Sequence, residues 1–261
     1  MKTEKIAPRI ISLMTDFGSG DDYIGQLHAV LYRYAPQARI IDFCHDIPAG
    51  GVESASFVLF YGWRHFPEHT VHLVIVDPGV GSERKILAAS VRKQYFIAPD
   101  NGILHPILSS YVPDELYSVE NTVLFNTEVS RTFQGRDIFA PVGAKLSMGL
   151  SLKEVGPAVS TWMKDVKLDP IRSHEGLIGK VMWIDHFGNL ITNLSFDEVR
   201  GVKVKIANVY PRMVNTFADG KSSEPICYVG SKGTLEIALR DGNAAEFLKA
   251  GLGERVTALV M

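Results

Sequence analysis

HLVIVDPGVGSER, residues 72–84, joins a short apolar run to a glycine-rich turn. The apolar run 73–76 predicts a buried β-strand that ends on the carboxylate of Asp77, and Arg84 closes the segment. An acidic residue at the C-terminal end of such a strand is a common way for an α/β protein to direct a polar group at a ligand. Taken alone, the segment fits a surface turn with an exposed Asp–Arg pair equally well.

Strand-like and helix-like segments alternate on both sides of this stretch. The predicted strands are 10–14, 40–43, 71–76, 86–91, 95–98 and 116–119, and the predicted helices are about 22–34, 50–66, 103–110 and 137–148. Asp21 or Asp22 is expected to cap the first helix, and Asp137 and Gly149 to cap the last. This alternation predicts a mainly parallel sheet with flanking helices.

The pattern changes after about residue 165. A polar segment containing Asp169–Pro170 predicts a linker, and short β-like runs separated by Gly and Asn follow it. These runs are 177–184, 202–209, 226–229, 235–239 and 256–260, and they predict a small all-β barrel or sandwich. We therefore expect an α/β domain at 1–165, a linker at 166–174 and a C-terminal β-barrel domain at 175–261.

Composition excludes several classes of function. The net charge of −2 gives no basic field for nucleic acid or an anionic membrane. No segment approaches the roughly 20 apolar residues of a membrane helix, and the run at 10–14 is too short for a secretion signal. Cys44 and Cys227 form neither a C-x-x-C motif nor a disulfide framework. We expect a cytoplasmic protein with no nucleic-acid or membrane partner.

Three other chemistries lack a supporting motif. The glycines of the 77–84 turn nearly trace G-x-G-x-x-G, but Arg84 occupies the third glycine position and no P-loop is present. His65, His69 and His72 run from a predicted helix end into a strand, so they share no face, and we expect no metal site. The absence of G-x-S-x-G argues against an α/β-hydrolase.

Other acidic residues lie in glycine-rich turns. Asp16, in TDFGSGDDY, ends the first predicted strand, where a carboxylate can accept hydrogen bonds from a ribose diol. Asp185 and Asn189 lie in IDHFGNLITN, read as a turn between strands, and GSKGTLEIA forms a second such turn from residue 230. Ordinary turn and hairpin chemistry explains each of these segments when it is considered alone.

Six segments together resemble the S-adenosylmethionine (SAM) hydroxide adenosyltransferases, adenosine-forming SAM hydrolases related to the SAM-dependent fluorinase and chlorinase. In family order they are LMTDFGSGDDYIGQLHAV, VDPGVGSERK, APDNGIL, TFQGRDIFAP, IDHFGNLITN and GSKGTLEIA. The resemblance implies an α/β domain, a C-terminal β-barrel and hydrolysis of SAM to adenosine and methionine. It also implies a homotrimer that binds SAM between neighbouring subunits, with no cofactor and no metal.

The resemblance assigns roles to individual residues. Asp77 and Arg84 match two members of an Asp–Arg–His set that handles the attacking water, and Gln134 stands where the family usually has the histidine. These three are the expected catalytic residues. Asp16 matches the ligand of the ribose diol.

The remaining expected substrate-binding residues lie in the C-terminal part. Asp185 and Ser231 resemble binders of the methionine ammonium and carboxylate groups, and Asn189 resembles an adenine contact. Phe217 resembles the aromatic residue that covers adenine. Lys232 occupies the position of a second serine in the methionine-binding turn.

Departures from the family pattern leave alternatives open. Gln134 cannot accept a proton, so we expect slower turnover. Lys232, Thr234 and Arg240 also replace the usual residues and affect ligand fit. One alternative is a SAM- or adenosine-binding protein with little or no turnover. The halide-using branch fits less well, because the Asp77 carboxylate would repel an incoming halide.

Overall fold

The computed structural model describes residues 10–199 and 201–259. The chain divides between Lys167 and Leu168 into two compact units. This division falls inside the predicted linker 166–174. Within the described ranges, no helix is long and apolar enough to cross a membrane.

The first unit contains a six-stranded sheet. Its strands are β1 Ile10–Thr15, β2 Arg39–Cys44, β3 Val71–Ile75, β4 Ile86–Val91, β5 Gln94–Pro99 and β6 Glu115–Ser118. The spatial order is β2-β1-β3-β5-β4-β6, with the first four strands parallel and β4 antiparallel to both neighbours. Every residue of β3 and β4 is buried, as in sheets covered on both faces. The predicted mainly parallel sheet is confirmed.

Four α-helices flank this sheet: α1 Tyr23–Tyr34, α2 Val52–Gly62, α3 His105–Ser110 and α4 Ala140–Ser147. Helices α1 and α4 pack on each other, and α4 also contacts β1 and β3. Leu27 and Leu31 give α1 its apolar face and are fully buried. Gly149 follows α4 with a positive φ of 103°, which suits the predicted end of this helix.

Of the predicted aspartate caps, Asp22 occupies the cap position of α1 without a capping hydrogen bond, and Asp137 is not at a cap position. Asp22 precedes α1, but its carboxylate accepts a hydrogen bond from Gln26 Nε2 at 2.7 Å and makes no capping bond. Asp137 lies inside a π-helical turn, Gly135–Phe139, which precedes α4. It is only 2% exposed and pairs with Arg136, because a buried carboxylate needs stronger partners than a helix start provides.

The second unit is a nearly closed, barrel-like sheet. Its strands are β7 Ile171–Ser173, β8 Gly176–Ile184, β9 Leu190–Ser195, β10 Lys203–Ile206, β11 Arg212–Met213, β12 Pro225–Val229, β13 Thr234–Leu239 and β14 Arg255–Leu259. They follow the order β10-β14-β8-β9-β13-β12-β11, and β7 pairs with β8. Two short helices, α5 Phe196–Val199 and α6 Ala244–Leu248, complete it. The predicted all-β barrel is confirmed.

The strand predictions differ from the structure in a few details. Strand β9 was not among the predicted strands, although the turn that precedes it lies at residues 185–189, as predicted. The predicted strand 202–209 ends at Ile206, because Ala207 and Asn208 have positive φ angles of 45° and 64° and turn the chain. Residue 260, the end of the last predicted strand, lies outside the described residues.

Candidate active site

Asp77 and Arg84 form a largely buried ion pair beyond the end of β3. Arg84 Nε donates to Asp77 Oδ2 at 2.8 Å, and Arg84 Nη2 donates to the same oxygen. Their side chains are only 7% and 12% exposed. Asn101 Nδ2 donates to the carbonyl of Val76 at 2.9 Å and fixes the backbone just before Asp77. The carboxylate therefore has a defined orientation.

The second oxygen of this carboxylate is unpaired. Asp77 Oδ1 is buried and has no hydrogen-bond partner among residues 10–199 and 201–259. Buried polar oxygens in folded proteins almost always have a partner, so an exception calls for a ligand or a water molecule. Because both Arg84 bonds go to Oδ2, Oδ1 is the oxygen left for such a molecule.

Gln134 completes this group. Its Oε1 accepts a hydrogen bond from Arg84 Nη2. An arginine can only donate, so the amide oxygen must face it, which leaves Gln134 Nε2 as the donor that can reach a ligand. The next residue, Gly135, approaches β3 closely: a Cβ there would lie 3.1 Å from Ile75 Cγ2. The structure thus brings together all three residues expected to be catalytic.

Asp16 lies at the same edge of the sheet, because it follows β1, the parallel neighbour of β3. Its Oδ2 accepts the N–H of Gly50 at 2.7 Å. Phe17, Tyr23 and Phe133 pack as an aromatic cluster with ring centroids 5.2–5.9 Å apart. This cluster joins the residue after Asp16 to the residue before Gln134. Sequence analysis missed it, because nothing local indicates that these rings meet.

The segment that leads to Gln134 is held by Asp137. This carboxylate accepts two hydrogen bonds from Arg136, at 2.8 and 2.9 Å, and one from the N–H of Ser130 at 2.9 Å. Asn126 Nδ2 donates to it at 3.0 Å. Burial favours the neutral acid, but these hydrogen bonds outweigh it and hold the pKa of Asp137 below its ordinary value. Asp137 therefore stabilises the loop.

The second unit contains a cavity of about 470 Å³. Asn189 and Phe217, both expected to bind substrate, line it. Phe187 and Tyr228 also line it, and the Phe217 and Tyr228 ring centroids are 6.3 Å apart. Aromatic walls with a few polar groups are typical of sites for flat, partly polar ligands such as a nucleobase. Phe187 and Tyr228 were not among the predicted site residues.

Asp185 shapes the turn beside this cavity. Its Oδ1 accepts the N–H groups of Phe187 and Asn189, at 3.0 and 2.9 Å, and its Oδ2 accepts Asn189 Nδ2 at 2.9 Å. Because the Asn189 amide nitrogen is used in this way, its Oδ1 is the atom available to accept a hydrogen bond from a ligand. Asp185 keeps only part of its accepting capacity for a ligand.

Ser231 and Lys232 lie in the turn between β12 and β13, outside the described lining of the cavity. The positive charge of Lys232 interacts electrostatically with the buried carboxylate of Glu236. This carboxylate also forms a hydrogen bond with Tyr228. Burial raises the pKa of Glu236, and Tyr228 and Lys232 partly oppose this effect. Burial and the nearby Glu236 carboxylate likewise raise the pKa of Tyr228. Sequence analysis did not identify Glu236.

The three histidines considered as metal ligands do not meet in a site. His72 is fully buried, and its two ring nitrogens contact Ser12 Oγ and Gln94 Oε1, each at 2.6 Å. Within the part of the chain that the structure describes, no group of three or more His, Cys, Asp or Glu side chains is arranged to hold a metal ion.

Two protein-family models match the chain. The SAM hydroxide adenosyltransferase N-terminal domain matches residues 11–156, and the SAM hydroxide adenosyltransferase C-terminal domain matches residues 179–257. The two matches fall in the first and second units respectively.

Individual proteins match over nearly the whole chain. A protein named (R)-S-adenosyl-L-methionine hydrolase from Salinispora tropica is 35% identical over 94% of this chain and 96% of its own length. One of the same name from Thermus thermophilus is 34% identical over 95% and 99%. A fluorinase from Actinopolyspora mzabensis is 28% identical over 95% and 97%. A solved structure of a Thermotoga maritima protein has a TM-score of 0.86 at 37% identity, covering 94% and 98%.

Proposed function

Because this chain belongs to the SAM hydroxide adenosyltransferase family and is an enzyme, we propose that it hydrolyses SAM to adenosine and L-methionine. The observation that carries this proposal is the unpaired, buried Asp77 Oδ1 beside Arg84 and Gln134. A carboxylate oxygen held in this way can accept a hydrogen bond from one water molecule and fix its position.

The reaction is an in-line displacement at the ribose C5′. The water oxygen forms a bond to C5′ while the C5′–S bond breaks, and the bonding electrons return to sulfur, giving a neutral thioether. The sulfonium is already a good leaving group, so the main task is to hold the water opposite sulfur in a dry site. The extra proton of the water passes to Asp77 or to solvent.

Asp77 acts in this scheme mainly by orientation. Two hydrogen bonds from Arg84 hold Oδ2 and so fix the direction of the carboxylate, which suits it to position the water. Gln134 Nε2 donates a hydrogen bond to the water but accepts no proton. The catalytic set is therefore built to place the nucleophile and lacks a strong base.

The remaining contacts hold the substrate. Asp16 binds the ribose diol, Asn189 accepts a hydrogen bond from adenine, and Phe217 covers the adenine ring. Asp185 and Ser231 bind the methionine ammonium and carboxylate groups.

Lys232 adds positive charge near the carboxylate end of the substrate.

Assembly and location follow the family expectation: a homotrimer with the active site at the subunit interface, in the cytoplasm, with no cofactor other than the substrate itself. The two cysteines are both free thiols, which suits a reducing compartment.

Incubation with SAM in oxygen-18 water tests the reaction. We expect adenosine that carries the heavy oxygen at its 5′-hydroxyl, and unlabelled methionine, both resolved by chromatography and mass spectrometry. The Asp77→Ala protein is the matched control and should form little product. Unlabelled adenosine would contradict attack of water at C5′, and absence of any adenosine would contradict hydrolysis.

A second candidate function is SAM or adenosine binding with little turnover, favoured by the one specific fact that Gln134 cannot take a proton. Calorimetric titration separates the two functions, since this candidate requires tight binding and unchanged SAM. Added fluoride or chloride tests the halide branch in the same experiment, because a 5′-halogenated nucleoside would be its product.

A further inference from the structure

His45 forms hydrogen bonds with residues on both sides of Asp16 in the sequence. Its Nδ1 lies 2.8 Å from Thr15 Oγ1, and its backbone carbonyl accepts the N–H of Gly18 at 2.9 Å. Asp16 therefore lies between Thr15 and Gly18, which are both hydrogen-bonded to His45. With the Gly50 N–H on Asp16 Oδ2, three anchors fix the direction of this carboxylate.

The hydrogen bonds at Thr15 have a defined direction. Asp42 Oδ1 can only accept, and it lies 3.0 Å from His45 Nε2, so Nε2 carries a ring proton. His45 Nδ1 then accepts from the Thr15 hydroxyl, and Phe17 N–H donates to Thr15 Oγ1 at 3.3 Å. Thr, His and Asp thus line up as in a nucleophilic triad, but Thr15 is 0% exposed and no substrate can reach it.

Asp42 orients the His45 ring from its Nε2 side, opposite the contact with Thr15. His45 Nε2 lies 3.0 Å from Asp42 Oδ1, close enough for an electrostatic contact but too poorly aligned for a well-formed hydrogen bond. His28 of α1 contacts the same oxygen at 2.8 Å. Partial burial opposes the charge on Asp42, yet its contacts with His45 and His28 hold the pKa of this carboxyl below its ordinary value. Asp42 is therefore charged and attracts the His45 Nε2–H.

We propose that His45 is a positioning residue for Asp16, and that through Asp16 it sets the preference of the site for a ribose over a 2′-deoxyribose. This inference rests on the proposed role of Asp16 as the ligand of the ribose diol. Two hydroxyls bind one carboxylate only when its plane is held within narrow limits. Without the His45 contacts, the Asp16 carboxylate would still be present, but its plane would no longer be fixed.

The test compares binding of adenosine and 2′-deoxyadenosine to the full-length protein by calorimetric titration. Wild type should prefer adenosine by about 10- to 100-fold, the range expected for one hydrogen bond to a charged group. In His45→Ala this preference should fall to within about threefold. His45→Asn should restore most of it, because its side-chain oxygen can take the place of Nδ1 and accept from Thr15.

Two further variants separate positioning from general damage. His28→Ala is the matched control: His28 contacts Asp42 but does not contact Thr15, so the preference should persist. Thr15→Val keeps the buried volume and loses the hydroxyl, so it should show the same loss of preference for adenosine as His45→Ala. It tests the same contact if His45→Ala itself folds poorly. Thermal unfolding confirms that each variant is folded.

The outcomes are distinct from those that test hydrolysis. Equal loss of affinity for both nucleosides in His45→Ala and Thr15→Val, or an unchanged preference in both, overturns the proposal. A wild-type protein without any preference also overturns it. Nucleoside binding needs no turnover, so a wild type that discriminates but leaves SAM intact would contradict only the proposed hydrolysis.

Discussion

His72 should make the protein lose stability in mild acid. The imidazole accepts from Ser12 Oγ, donates to Gln94 Oε1 and stacks on Phe96 at a centroid distance of 4.8 Å. Gln94 Nε2 donates to the Phe66 carbonyl, which fixes its oxygen toward His72. Burial disfavours the charged ring and lowers the pKa of His72 from 6.5 to about 4.

The sign and size of the effect follow from this shift. The folded protein holds His72 neutral, whereas the unfolded chain takes up a proton below about pH 6.5. The contribution is therefore fully present above pH 6.5 and is lost as the pH falls toward about 4. At about 1.4 kcal/mol per pKa unit, the full loss is about 3 kcal/mol, and about 2 kcal/mol is lost by pH 5.

Urea unfolding at pH 7.5 and pH 5 measures this loss by tryptophan fluorescence. Trp63 is a suitable reporter, because its ring packs 5.5 Å from Phe96, the residue that stacks on His72. His72→Gln removes the titrating group and should be less stable at pH 7.5, but its deficit relative to wild type should shrink by about 2 kcal/mol at pH 5. Exposed His65→Gln is the control and should follow wild type at both values. An equal deficit of His72→Gln at the two pH values would refute the reasoning.

Three further predictions concern the active site. Asp77→Ala and Arg84→Ala should each lower kcat for adenosine release on the order of 10²-fold or more while weakening SAM binding much less, because both act on the water. Kinetic assays with parallel binding titrations check this, and near-normal turnover would remove the residue from the mechanism. Asp16→Ala and Asn189→Ala should each be inactive, whereas mixed assemblies of the two should regain activity if each site uses two subunits. No recovery after verified subunit exchange would count against a shared site. Gln134→His should raise kcat at least about tenfold and add a limb near pH 6.5 to the pH–rate profile, because imidazole can accept the proton that glutamine cannot. An unchanged rate and profile in the folded variant would show that this position does not limit turnover.

Local patterns in the sequence were sufficient for the order of elements and for part of the site. Alternating apolar runs and helical periodicity depend on residues a few positions apart, so the mainly parallel sheet, the strands β4 and β5 and most barrel strands could be predicted. Asp77 and Arg84 are separated by one short turn, and they pair as expected.

Contacts between distant residues could not be obtained in this way. Gln134 meets Arg84 across 50 residues, and His45 meets Thr15 across 30 residues. Asp137 illustrates the reason. Its position near a helix start predicts a cap, but tertiary packing buries it, and a buried carboxylate takes the strongest donors within reach.

The sequence by itself therefore determined which elements form and which chemistry-bearing residues end the strands, because both depend on local geometry. Only the tertiary structure decided which oxygen of Asp77 stays unpaired and which histidine holds the chain around Asp16. These choices depend on desolvation and on donors brought in from remote segments, and neither is a property of any short stretch of chain.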